Sequence, residues 1–213
     1  DADGERFVEL GLPPRHLQVT GTIKFDMDIK PDTLAAAQAL RESWGGLRKV
    51  FIAASTHQGE DEQVLEAYLY LRSEVPESLL VLVPRHPERF EDVAKLVEAR
   101  GLNLSRISQQ EPVTPETEVV LGDTMGDLLT LLGASDVAFI GGSLVPVGGH
   151  NMLESLAMGT PALTGPHVFN FQVVAQMLGE LDVLKTVTTP LGLGQAVESL
   201  FKNEEARYAL AKR

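Results

Sequence analysis

The chain has 213 residues, 44% of them hydrophobic, which is enough apolar material for the core of one domain of ordinary size. A formal net charge of −12 and a pI near 4.8 argue against sequence-independent binding to nucleic acid or to an anionic membrane surface. There is no cysteine, which excludes disulfides and Cys-based zinc sites, and no apolar run reaches the length of a membrane span.

The opening residues Asp1-Ala2-Asp3-Gly4-Glu5 carry neither methionine nor a signal-peptide pattern, and read as the interior of a longer protein. Short apolar runs then alternate with amphipathic segments. The first expected strand is Gln18-Val-Thr20, followed by a loop from Gly21 to Asp26 and a helix from about Asp32 to Ser43. Next come strand Lys49–Ala53, helix Glu60–Ser73, strand Ser78–Val83, helix Glu88–Arg100 and strand Glu118–Leu121. Helix Met125–Leu132, strand Asp136–Ile140, helix Met152–Met158 and strand Ala162-Leu163 continue the series. It closes with helix Phe171–Leu178, a short strand near Val183-Leu184, and two helices from about Leu191 and Glu204. Unbroken apolar runs suit a parallel sheet covered on both faces. The alternation predicts one α/β domain over residues 1–213, a Rossmann-like doubly wound parallel sheet with helices on both faces.

In such a sheet ligands sit at the carboxyl ends of the strands, and the polar chemistry of the sequence falls there. The richest segment is Gly141 to Glu154, GGSLVPVGGHNMLE, between a strand and a helix. Glycines let a ligand approach main-chain N–H groups, and a following helix N-terminus favours a phosphate. Glu154, in the first helical turn, suits the two hydroxyls of a ribose. Neither standard Gly-rich nucleotide fingerprint is present. The other strand tips carry Ser55-Thr-His-Gln-Gly-Glu60, Pro84-Arg85-His86-Pro87, Gly122-Asp-Thr-Met-Gly126 and Thr164-Gly-Pro-His167. Each has an ordinary structural reading as well. Ser55, Thr56, Asp123, Thr124 and Asn170 are adequate helix caps, and Arg85 suits a surface ion pair. Their placement on one edge of one sheet favours a shared ligand site.

The segment from Gly141 to Glu154, with GTPALTGPHVFNF (Gly159 to Phe171), resembles the carboxyl-terminal domain of 3-deoxy-D-manno-octulosonic acid (Kdo) transferases. TGTIKFD (Thr20 to Asp26), ASTHQGEDE (Ala54 to Glu62), VPRHPERF (Val83 to Phe90) and LGDTMGDL (Leu121 to Leu128) support the resemblance, in the family's order. It implies one half of a GT-B glycosyltransferase, two Rossmann-like domains with the active site between them. The family transfers Kdo from CMP-Kdo to a lipid A precursor in Gram-negative lipopolysaccharide synthesis, at the cytoplasmic face of the inner membrane, inverting the anomeric centre. By motif, Pro84, Arg85, Met125, Gly126, Asp127, Asn151, Met152, Leu153 and Glu154 are expected to bind CMP. Lys24, Ser55, Thr56, His57, Gly142 and Ser143 are further candidate donor contacts. Many retaining GT-B enzymes carry a second glutamate eight residues before the ribose-binding one. Here that position is Pro146, in keeping with inversion.

The resemblance implies no cofactor and no metal, CMP-Kdo being a substrate; Arg85 and main-chain amides would meet the charge on the departing phosphate. The catalytic base, a glutamate of the amino-terminal domain, is outside this chain, as are the lipid A and membrane contacts. The fragment is therefore expected to be soluble, to bind CMP and to transfer no sugar alone. A UDP-sugar transferase or epimerase domain, or a nucleotide-binding module without activity, shares the same fold expectation.

Overall fold

The structure is a computed structural model, and it describes residues 2–19 and 28–212. Seven strands form one sheet: β1 (Val50–Thr56), β2 (Leu79–Pro84), β3 (Leu104–Arg106), β4 (Val119–Leu121), β5 (Val137–Ile140), β6 (Ala162–Thr164) and β7 (Leu184–Thr186). Their order is β3-β4-β2-β1-β5-β6-β7, and every neighbouring pair is parallel. From β1 the chain builds outward through β2 to the β3 edge, then returns to the other side of β1 with β5. The strand order thus reverses between β1 and β5, and that switch point is where this class of sheet opens a crevice.

Alternate strand residues feed two cores, one on each face. Phe51, Ala53, Leu80, Leu82, Phe139 and Leu163 lie under α3 (Asp61–Glu74), α4 (Phe90–Glu98) and α8 (Pro190–Lys202). Ile52, Ala54, Val81, Ala138, Ile140 and Ala162 face α2 (Pro31–Ser43), α5 (Leu128–Gly133), α6 (Leu153–Ala157) and α7 (Gln172–Glu180). Burial on both faces is why the central strands read as continuous apolar runs. Two further helices, α1 (Ala2–Glu9) and α9 (Glu204–Lys212), stand near the chain ends.

Four local expectations are corrected. Gln18 and Val19 are not in a strand, and Thr20 lies outside the described residues. Strand β3 went unread because Leu104-Ser-Arg has a single apolar residue and sits at the sheet edge. Helix α5 begins at Leu128 rather than Met125, because Gly126 takes φ +97°, which no right-handed helix accommodates. The helix expected from Glu88 opens as a 3-10 turn, Pro87–Arg89, and becomes α-helical at Phe90.

Candidate functional site

At the switch point the end of β1 meets the loop after β5. Ser55 adopts φ 58°, and the β1–β2 register slips there. Gly141 lies against this bend: a Cβ on it would come within 2.5 Å of the Ser55 carbonyl oxygen. Only a glycine lets β1 and the β5 loop approach this closely.

The loop closes around Glu60, the residue that opens the helix expected after β1. Glu60 is fully buried. Its carboxylate accepts hydrogen bonds from the main-chain N–H of Gly142 (2.6 Å), Ser143 (2.9 Å), Leu144 (2.8 Å) and His57 (3.0 Å). The glycine-bearing loop therefore binds an anion, but the anion is the protein's own side chain. The Ser143 hydroxyl donates to the Ile140 carbonyl and accepts from the Gly165 N–H, so it is committed to the β5–β6 connection. The amides of Gly142 and Ser143, counted among the candidate donor contacts, are held by Glu60 in this structure. The Gly142 carbonyl in turn accepts from the N–H of Gly148 and Gly149, folding the loop back on itself.

Beside this loop lies a cleft of about 240 Å³, lined by Ser55, Arg85, His150, Asn151 and Glu154 with an apolar floor that includes Ile140 and Leu132. Asn151 braces Glu154: its Nδ2 donates to Glu154 Oε1 at 3.2 Å, while its Oδ1 accepts from the Leu153 N–H. The carboxylate is thus aimed before any ligand arrives. Met152 and Leu153 are buried among the core residues, and neither lines the cleft. Helix α6 has five residues, too short for a substantial macrodipole, and the expected helix-end attraction for phosphate is correspondingly weak.

Arg85 stands exposed at the tip of β2, with its own N–H donating to the Thr56 carbonyl at 2.9 Å. Pro84, the last residue of β2, is buried behind it. Met125, Gly126 and Asp127 form an exposed turn, and the cleft lining begins at the next residue, Leu128. Thr56 turns inward, donating to buried Asp61 at 2.6 Å. Arg89 pairs with Asp61 and donates to the Thr56 carbonyl. Burial pushes the Asp61 carboxyl up, against the pull of Thr56 and Arg89. Lys24 lies outside the described residues.

Three histidines collect at the rim. His57 and His150 meet Nε2 to Nε2 at 2.7 Å with ring planes 7° apart, and His86 stands edge-on to His57 with centroids 5.2 Å apart. Burial, with the nearby charges of His57, Arg85 and His86, pushes His150 down to about 4. Burial also lowers His57, although Glu60 pulls it up. Both shifts disfavour a proton on the His57–His150 pair, beside the exposed Arg85 guanidinium.

The C-terminal CMP-Kdo binding domain of WaaA from Acinetobacter baumannii superposes with a TM-score of 0.81 at 31% identity, over 85% of this chain and 95% of that one. The chain belongs to the Kdo transferase family. A 3-deoxy-D-manno-octulosonic acid transferase of Haemophilus influenzae is 45% identical over 97% of this chain and 49% of its own length. The chain thus spans about half the length of the curated Kdo transferases it matches. It corresponds to the carboxyl-terminal Rossmann-like half of a GT-B glycosyltransferase. The UDP-GlcNAc 2-epimerase of Neisseria meningitidis, bound to UDP-GlcNAc, has a TM-score of 0.56 at 15% identity over all of this chain and 53% of that one, a likeness of fold alone. No protein-family model matches the chain.

Two features of this Kdo transferase domain escaped the motif reading. Glu60 looked like one acid in the run Glu60-Asp-Glu62, and only its position directly after a strand-tip glycine set it apart. The His57–His150 pair joins residues 93 positions apart, which no local pattern reveals.

Proposed function

We propose that this chain is the donor-binding half of a Kdo transferase, holding CMP-Kdo while the parent enzyme transfers Kdo to a lipid A precursor with inversion. The observation that carries this reading is the switch-point cleft, where Arg85 and a pre-aimed Glu154 face the same space. In this reading Glu154 accepts hydrogen bonds from the ribose hydroxyls. Arg85 holds the phosphate and takes up the charge that grows on CMP as it leaves. The main chain of Asn151, Met152 and Leu153 supports the nucleotide, and Pro84 with the Met125-Gly126-Asp127 turn bounds the cytosine. Lys24, Ser55 and His57 are proposed to face the sugar.

The reading needs no cofactor or metal. The general base, the acceptor site and contact with the cytoplasmic face of the inner membrane are assigned to the other half of the longer protein. Among the described residues no helix is long and apolar enough to cross a membrane.

Calorimetric titration of the chain with CMP and UDP tests the proposal. CMP is expected to bind more tightly, and Arg85→Ala to weaken it by roughly tenfold, the value of one charge-assisted hydrogen bond. Tighter binding of UDP would overturn the assignment. Kdo transfer by the chain alone would show that the base lies within it.

A further inference from the structure

We infer that the His57–His150 pair, backed by His86, is the receptor for the carboxylate of the donor sugar. The inference rests on the donor-site reading above. Kdo is an acid, so its CMP conjugate brings two anionic groups into the cleft, a phosphate and a sugar carboxylate. Arg85 answers one of them. The second needs its own hydrogen-bond donors, and the rim offers a pair of imidazoles whose link is already built.

The proton inventory of that pair suits the task. Two neutral imidazoles carry two N–H protons between them, and the Nε2–Nε2 bridge uses one. The other sits on the outer Nδ1 of whichever ring accepts. One added proton places an N–H on both outer atoms and spreads a positive charge across the pair. Gly142 makes the arrangement possible, since a Cβ there would come within 3.2 Å of the His150 ring and 3.4 Å of the His57 ring.

The charged and titratable groups around the pair come from three loops. His57 and Glu60 follow β1, Arg85, His86 and Arg89 follow β2, and His150 and Glu154 follow β5. Glu60 is spent on four amides and Arg89 on Asp61, while His150 and Glu154 both line the cleft. Without a ligand, burial and the neighbouring charges disfavour a further proton on the pair. A carboxylate in the cleft reverses that balance, so its binding draws a proton from solvent.

The test compares CMP with CMP-Kdo in the 213-residue chain, by calorimetry at pH 6 in two buffers of different ionisation enthalpy. The expected result is proton uptake with CMP-Kdo, whose phosphodiester does not titrate there, and no uptake but a release with CMP, whose phosphate monoester ionises near pH 6 and loses its proton beside Arg85. The double change His57→Asn, His150→Asn should abolish that uptake and weaken CMP-Kdo by about tenfold or more, leaving CMP within about twofold. His150→Gln keeps a donor without a titratable ring. It leaves His57 as the pair's one titratable ring, so it should reduce the uptake and weaken CMP-Kdo more than CMP, and it carries the comparison if circular dichroism shows the double variant unfolded. Equal losses for CMP and CMP-Kdo would make the pair a phosphate receptor or a purely structural contact and overturn the inference. So would unchanged CMP-Kdo affinity in the variants, or absence of uptake in the unaltered chain. If CMP itself fails to bind the unaltered chain, the donor-site reading falls and the inference falls with it.

Discussion

Glu60 joins four main-chain N–H groups from two loops in one buried carboxylate, so its removal strands several donors at once. Glu60→Ala is expected to destabilise the chain by about 3 kcal/mol, measured by urea unfolding, since each unsatisfied buried donor is costly. His150 gives a different signature. In the fold it takes a proton only near pH 4, whereas the unfolded chain does so near the ordinary value of 6.5. Between those values the unfolded state holds more protons, so stability should fall as pH drops through the window and level off above it. Thermal melts at pH 7 and pH 5 should show a lower midpoint at pH 5, and His150→Asn should flatten the difference. Both residues show where reading a sequence reaches its limit. A glutamate at a helix start looks like an ordinary first-turn acid. What distinguishes Glu60 is a loop more than eighty residues away, at Gly142 to Leu144.

The elements were far more legible than these contacts. The runs Val50–Ala54, Leu79–Val83 and Val137–Ile140 announce buried strands because the sheet is covered on both faces and every position is apolar. The edge strand β3 is invisible for the complementary reason: it borrows its strand character from pairing with β4, not from its own composition. The candidate site divides in the same way. Arg85, Asn151 and Glu154 each belong to a local motif at a strand tip, and the structure gathers them on one cleft. The junction of β1 with the β5 loop offers a test at this scale. Gly141→Ala would push a methyl against the Ser55 carbonyl and the Thr56 Cα, both main-chain atoms with little room to yield. A loss of about 3 kcal/mol is expected, again by urea unfolding, with a weaker response to CMP because Ser55 lines the cleft.

At the scale of the whole molecule, Asp136 ties distant parts of the chain together at the opposite end of the sheet. Its carboxylate meets Arg41 of α2 at 2.9 Å and Arg207 of α9 at 3.0 Å, and accepts from the Val50 N–H at 2.8 Å. Asp136→Ala takes this carboxylate from the buried Arg207 and the largely buried Arg41 at once, so a loss of about 3 kcal/mol is expected. Because this hub lies away from the cleft, CMP affinity under folding conditions should stay unchanged. The Glu60 clasp has a thermodynamic meaning that contacts alone do not convey. A loop already shaped by an internal anion asks little of the proposed nucleotide by way of ordering, which removes one cost of binding. The same clasp leaves buffer phosphate or sulfate little reason to settle on those amides, and competition from simple anions is then confined to Arg85 and the histidines beside it.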